Sequence, residues 1–151
     1  MERQDKRDTS TLESGQKVTI LLPFYLHSGF AASFKLYGFK VIWSERKVEL
    51  ENLIETSEID LAIEWQHGPR DFPLLDLLIK HKKKVPIFLA LNWNSSVSVS
   101  PWYKELGYTD ILSVPWDESE LAQKFHDALP PEKKGIYECT VLWALRGKHI
   151  N

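Results

Sequence analysis

Five short apolar segments, separated by amphipathic stretches, organise this chain of 151 residues. Short apolar runs without polar alternation are typical of strands buried on both faces, and apolar residues at helical spacing follow each run. This alternation predicts a doubly wound (βα)5 α/β fold, in which a parallel sheet lies between two layers of helices. The predicted strands are Val18–Leu22, Lys40–Trp43, Ile59–Glu64, Ile87–Leu91 and Asp110–Val114.

The distribution of polar residues predicts one domain with an extension at each end. Residues 1–16 are polar and lack periodic apolar positions, which predicts a disordered leader. Residues 17–130 form the domain, and its last predicted helix, Glu118–Leu129, ends at two prolines. The extension 131–151 contains an apolar segment that either packs back onto the domain or docks onto a partner or a second copy.

Charge and composition exclude several classes of protein. The formal net charge is −2 with both signs interspersed, so no overall field would recruit nucleic acid or an anionic membrane. No apolar run approaches the ~18 residues that a membrane-spanning helix requires, and residues 1–16 lack the apolar core of a signal peptide. The single cysteine, Cys139, cannot form an intramolecular disulfide, which favours a reducing compartment. We therefore predict a cytoplasmic protein without nucleic-acid or membrane partners.

The predicted strand ends are mostly apolar, although chemistry in a doubly wound sheet is placed beyond them. No carboxylate occurs between Lys17 and Ser44, and Mg²⁺ requires several oxygen ligands, so Glu64 alone would be a poor metal site. Histidine and cysteine are scattered without the spacing of a zinc site. We predict no catalytic residue, no metal and no cofactor, and therefore no enzyme. The strand ends read Pro23-Phe24, Trp43-Ser44, Glu64-Trp65, Leu91-Asn92 and Val114-Pro115.

The stretch Leu106–Leu121, LGYTDILSVPWDESEL, carries a family resemblance. It is similar to the pattern Gly-Ala-x-Asp-Tyr-Leu-x-Lys-Pro-Phe-x-x-x-x-Leu of the receiver domains of two-component response regulators. The resemblance covers about residues 17–129 and includes a strand opening at Val85-Pro86-Ile87. It implies a CheY-like, flavodoxin-like fold and a role in signal transduction. Such receivers hold Mg²⁺ with acidic residues after strand one and phosphorylate an aspartate that ends strand three. A Thr or Ser and a Lys, at the ends of strands four and five, read the new charge.

The resemblance also implies that this phosphorylation site is degenerate. None of the five site residues of a receiver is present at its position, and the aromatic switch residue of strand five is replaced as well. The chain is therefore interpreted as a pseudo-receiver. The acidic pair falls on Pro23 and Phe24, the phosphoacceptor on Glu64, the Thr or Ser on Leu91, the Lys on Val114 and the switch aromatic on Ile111.

Glu64 allows two interpretations. A glutamate extends a fixed negative charge further out than an aspartate does, so it could imitate a phosphoryl group. Because the Lys and the Thr or Ser that would sense this charge are absent, the sequence favours a glutamate that is solvated at a strand end.

Aromatic residues gather at the same strand ends and also allow two interpretations. They could form an exposed ligand surface, since aromatics are enriched at binding sites. They could instead plug the vacated pocket, and this second interpretation is favoured. The candidate ligand surface comprises Phe24, Tyr25, Trp65 and Trp93.

The sequence thus predicts a stand-alone pseudo-receiver that acts by binding protein. Receivers pair through the face of helix four, strand five and helix five, here about Trp102–Leu129, so a partner or a second copy is expected there. The alternative is a small-molecule-binding flavodoxin-like module that uses the aromatic strand-end surface. The candidate partner-binding residues are Trp102, Tyr103, Tyr108 and Trp116.

Overall fold

One sheet of five parallel strands runs through the protein, in a computed structural model that describes residues 17–65, 71–92 and 102–142. The strands are β1 (Thr19–Leu21), β2 (Lys40–Ile42), β3 (Leu61–Trp65), β4 (Ile87–Asn92) and β5 (Asp110–Val114). The strand order is β2-β1-β3-β4-β5, so the chain crosses over at β1 and the sheet is doubly wound. The predicted fold class is confirmed.

Helices connect the strands, and their ends follow local sequence signals. The helices are α1 (Ser28–Leu36), α2 (Lys47–Thr56), α3 (Pro73–Lys80), α4 (Trp102–Leu106), α5 (Glu118–Ala128) and α6 (Pro131–Tyr137). His27 Nδ1 accepts a hydrogen bond of 3.0 Å from Gly29 N at the start of α1. Asp117 Oδ1 accepts one of 2.7 Å from Ser119 N at the start of α5, as an N-cap aspartate does. Gly107 ends α4 with φ +123°, as expected of a C-terminal glycine.

The sheet separates two hydrophobic clusters. Successive strand residues face opposite sides, so that Ile63 of β3 joins the cluster beneath α1 and α5, whereas Ala62 joins the cluster beneath α2, α3 and α4. Phe34 and Phe125 anchor the first cluster, and Leu78 belongs to the second. This arrangement gives the three-layer α/β/α architecture.

The first part of the C-terminal extension packs on the domain. A π-helical turn, Glu138–Leu142, follows α6. Tyr137 and Val141 are fully buried in the first cluster, and the Tyr137 hydroxyl donates a hydrogen bond of 2.8 Å to the Ala122 carbonyl. Packing back onto the domain is therefore the arrangement of residues 131–142. Residues 143–151 and the leader, 1–16, lie outside the described residues. No helix among the described residues is long and apolar enough to cross a membrane.

Candidate functional site at the carboxyl ends of the strands

Glu64, near the carboxyl end of β3, is fully buried. It lies two residues beyond Ala62 in the strand, and residues two apart face the same side of a sheet. Glu64 therefore points to the side that α3 covers. Both carboxylate oxygens accept hydrogen bonds. The expectation that this glutamate is solvated is wrong, because its acceptors are used inside the protein. Its donors are Leu74 N (2.7 Å), Leu75 N (3.0 Å), the Tyr108 hydroxyl (2.8 Å) and the Tyr25 hydroxyl (3.3 Å).

The first turn of α3 explains why a carboxylate is needed there. The first backbone N–H groups of a helix have no partner within the helix. Pro73 opens α3 without an N–H group, and Phe72 at the N-cap position has no side-chain oxygen with which to cap the helix. Glu64 therefore caps α3 from the neighbouring strand. Its negative charge also lies at the positive end of the helix dipole.

Two tyrosines complete the hydrogen bonds of Glu64. Tyr108 lies between α4 and β5, is 3% exposed and donates to Oε1. The Tyr25 hydroxyl donates to the Trp65 carbonyl at 2.6 Å and lies 3.3 Å from Glu64 Oε2. Burial, with the Glu64 charge beside each ring, raises the pKa of both tyrosines, so both hydroxyls remain protonated donors.

Opposing effects act on the ionisation of Glu64. Burial disfavours the charged carboxylate and raises the pKa of Glu64 above its ordinary range. The hydrogen bonds from Leu74, Leu75 and the two tyrosines favour the charged form and offset part of this rise. Glu64 forms no ion pair within the described residues, so its charge is compensated by N–H and O–H dipoles alone.

The other positions that the resemblance singled out carry apolar side chains at the strand ends. Pro23 is buried, and its carbonyl accepts a hydrogen bond of 3.0 Å from Trp43 Nε1. Phe24 packs against the second cluster, Leu91 is buried and Val114 is half-buried. Within residues 17–65, 71–92 and 102–142, no group of three or more His, Cys, Asp or Glu side chains could hold a metal ion.

Several of the strand-end aromatics pack against one another. The Trp65 ring lies 5.2 Å from that of Phe30 and 5.7 Å from that of Trp116, between ring centroids. The Phe24 ring meets Tyr25 edge-on at 5.4 Å. Phe24, Tyr25 and Trp65 are half-buried, and these contacts favour the plug over an open ligand surface. Trp93, the fourth candidate for that surface, lies outside the described residues.

A groove of about 560 Å³ borders this aromatic cluster. It runs between α1 and the cis Val114-Pro115 bond that leads into α5. Phe30 and Phe34, which were not among the predicted site residues, line the groove together with Trp116, and the Phe34 ring lies 5.9 Å from that of Trp116. The spacing of Phe30 and Phe34, four residues on one face of a helix, was the available signal.

The predicted partner face needs one correction. Tyr103 and Tyr108 were expected to contact a partner, but they are 8% and 3% exposed. Tyr103 packs in the second cluster and Tyr108 binds Glu64, so neither ring can reach a partner without unpacking the core. Trp116 is half-buried among aromatic rings. The side chain of Trp102, the fourth predicted partner residue, lies outside the described part of the structure.

The backbone of the edge strand β5 is partly satisfied by the protein's own side chains. Lys124 Nζ donates a hydrogen bond of 2.8 Å to the Ile111 carbonyl, and Ile111 N donates one of 2.7 Å to Asp110 Oδ1. These bonds occupy the outward-facing groups of Ile111, which would otherwise be available to another strand. Contacts at this edge would therefore come from side chains.

Comparison with known proteins places the fold among receivers. No family model matches the chain, and no curated protein does either. Three solved structures that resemble it each contain a receiver fold. One is the signal receiver domain of an HD domain-containing protein from Pseudomonas fluorescens Pf-5, with 20% sequence identity and a TM-score of 0.57, covering 74% of this chain and 94% of that one. Another is the N-terminal signal receiver domain of a two-component system response regulator from Bacteroides fragilis, with 17% identity and a TM-score of 0.59 over 74% and 95%. The third is the chemotaxis protein CheY4 from Vibrio cholerae, with 15% identity and a TM-score of 0.55 over 75% and 99%.

These likenesses establish a class of fold. The five-stranded parallel sheet with its flanking helices is the CheY-like, flavodoxin-like fold of response-regulator receiver domains. At these levels of sequence identity the likeness concerns the fold, and function must be argued from the site.

Proposed function

We propose that this protein is a signalling module of the receiver fold that acts by binding protein and does not depend on phosphorylation. The observation that carries the proposal is the burial of Glu64. Both of its oxygens accept hydrogen bonds from α3 or from the tyrosines, and its exposed fraction is 0%. A phosphoryl donor would have to displace these bonds before it could meet a carboxylate oxygen.

The surroundings of Glu64 also offer little to a phosphoryl group. Such a group brings a charge of about −1.5 to −2 and three further oxygens. Mg²⁺ is usually held by carboxylates together with phosphate oxygens, and Pro23 and Phe24 at the end of β1 supply no carboxylate. Leu91 and Val114 likewise supply neither a hydroxyl nor an ammonium group. The side chains at these four positions therefore pack against the core and offer no ligand to a metal ion or a phosphoryl group.

Incubation with acetyl phosphate and Mg²⁺ is expected to leave the protein unmodified, because in residues 17–65, 71–92 and 102–142 no cluster of carboxylates could hold the metal ion. Intact-mass spectrometry would measure this, with a conventional receiver domain in a parallel reaction to verify the donor. Stoichiometric phosphorylation that hydroxylamine removes, at Glu64 or at another carboxylate, would contradict the proposal.

The face of α4, β5 and α5 is the proposed contact surface for a second copy or another protein. Ser113 of β5 and Gln123 of α5 are exposed there, and Leu106 at the end of α4 is 38% exposed. Because Lys124 and Asp110 occupy the backbone of Ile111, the contact would use side chains of α4 and α5.

Arginine substitutions on this face are expected to weaken self-association. Ser113→Arg combined with Gln123→Arg should raise the dissociation constant of the dimer at least tenfold, about 1.4 kcal/mol, since two long charged side chains would enter the contact. Sedimentation equilibrium would measure it. Val48→Arg, at a position that is 72% exposed on α2, is the control and should change nothing. A protein that stays monomeric throughout the concentration series, or equal weakening by all variants, would contradict the homodimer.

A further inference from the structure

A second groove opens between α3 and α4, at the amino ends of β4 and β5. Its volume is about 430 Å³. Leu75 and Leu78 of α3, together with Val85 and Ile87, form an apolar floor. The groove is built from the segments that precede β4 and β5, so it does not depend on the chemistry of the Glu64 site.

Two large apolar side chains are exposed along this groove. Ile79 of α3 is 61% exposed and Leu106 of α4 is 38% exposed, and both line the groove. Single exposed apolar residues are ordinary on protein surfaces. Here the two continue the buried floor formed by Leu75 and Leu78, which makes an apolar strip that reaches the surface.

Positive charge borders one end of the strip. Lys83 and Lys84 line the groove, and Lys82 precedes them in the turn after α3. Lys83 Nζ donates a hydrogen bond of 3.3 Å to the Ser57 carbonyl. The side chains of Lys82 and Lys84 are exposed and form no ion pair or hydrogen bond within the described residues. No acidic side chain in the described part of the chain lines this groove.

We propose that this groove docks an acidic amphipathic segment of a partner protein. The apolar side chains of such a segment would pack on Ile79 and Leu106, and its carboxylates would face Lys82 and Lys84. Nucleic acid fits poorly, because its phosphates would pair with the lysines but would leave the apolar floor of the groove exposed to water. Two described helices of this chain, α2 and α5, are acidic. The apolar residues Leu121, Ala122 and Phe125 of α5 are buried. The three glutamates of α2 already contact Arg46, Lys80 or His81 of their own chain, so neither helix of a second copy matches the groove.

A display selection of random short peptides against the full chain tests the proposal. The enriched peptides are expected to combine Asp or Glu with Leu, Ile or Phe at helical spacing. Their affinity, measured by fluorescence anisotropy of fluorescein-labelled copies, should fall as salt is raised, because exposed charges are screened.

Matched variants connect binding to the groove. Ile79→Ser combined with Lys84→Glu should weaken the selected peptides at least tenfold. Leu36→Ser combined with Lys35→Glu makes the same chemical changes on α1, where Leu36 is 82% exposed, and should leave binding unchanged. All four positions are exposed, so both variants should keep the wild-type circular dichroism and melting curve.

Three results would overturn the proposal. The first is a selection that yields no binders or only peptides without acidic residues. The second is equal affinity of the selected peptides for the two double variants. The third is a wild-type dimer, seen by sedimentation, that the Ile79→Ser, Lys84→Glu variant alone dissociates, since the occupant would then be a second copy.

Discussion

Replacement of Glu64 by leucine is expected to lower the free energy of unfolding by about 3 kcal/mol at pH 7. Leucine has a similar volume but no acceptor, so Leu74 N, Leu75 N and the Tyr108 hydroxyl would lose their partner inside the protein. Each buried polar group left unsatisfied costs about 1 to 3 kcal/mol, and relief of the buried charge offsets part of the sum. Urea unfolding followed by circular dichroism would measure the change.

Glu58→Leu is the control, because Glu58 is exposed after α2 and the same substitution there should change stability little.

The pH dependence of stability gives a second test of the buried glutamate. Since the folded protein raises the pKa of Glu64, the stabilisation linked to its protonation is fully present below the unfolded value of about 4.3. It is lost as the pH rises through the folded pKa. The stability advantage of the wild type over Glu64→Leu should therefore shrink as the pH rises. Equal stability of the two proteins across the acid range would contradict the buried, hydrogen-bonded glutamate.

Gly38→Ala is expected to lower the free energy of unfolding by about 3 kcal/mol. Gly38 has φ +104°, a conformation that L side chains rarely adopt, and a β-carbon there would overlap the carbonyl oxygen of Thr140 in the C-terminal turn. Backbone strain of this kind costs about 1 to 3 kcal/mol, and displacement of the turn adds to it. Urea unfolding would measure the loss.

Gly135→Ala is the matched control, because nothing lies within 4 Å of a β-carbon at Gly135 in α6. It should stabilise the protein by about 0.5 to 1 kcal/mol, since alanine favours a helix interior more than glycine does. Opposite signs for the two glycine substitutions would therefore support a tight contact between Gly38 and the turn. A neutral Gly38→Ala would show that the turn can move away without cost.

The fold was predictable because its central strands are buried on both faces and appear in the sequence as apolar runs. The first and last residues of each strand were less predictable, as β1 shows. Val18 and Leu22 are both fully buried, yet both lie outside the strand Thr19–Leu21. Burial extends past the hydrogen-bonded ladder, and a hydrophobic pattern reports burial.

The environment of Glu64 was less predictable, because its partners are distant in sequence. Leu74 follows it by ten positions and Tyr108 by 44, and two of the donors are backbone N–H groups that no side-chain pattern reveals. A usable signal was present in Phe72-Pro73, since a helix that opens with proline after phenylalanine carries no cap of its own. An acceptor from elsewhere in the fold was therefore required.

Two tyrosines of the predicted partner face show what a sequence pattern does not reveal. Tyr103 and Tyr108 lie in the segment that forms the partner face of receivers, and resemblance alone placed them on the surface. A five-residue helix has too few residues for its periodicity to show which face is covered. Tyr108 also lies beyond Gly107, where the helical period no longer applies.

The burial of Val141 sets the earliest moment at which this protein can finish folding as it is synthesised. The first cluster begins with Val18, directly before the first strand, and is complete only when Tyr137 and Val141 are in place. A nascent chain that has exposed only the five βα units outside the ribosome still lacks two of the side chains that seal its core. Residues 131–142 thus complete the core that the first strand begins, and a fusion placed after them must leave these residues free to dock.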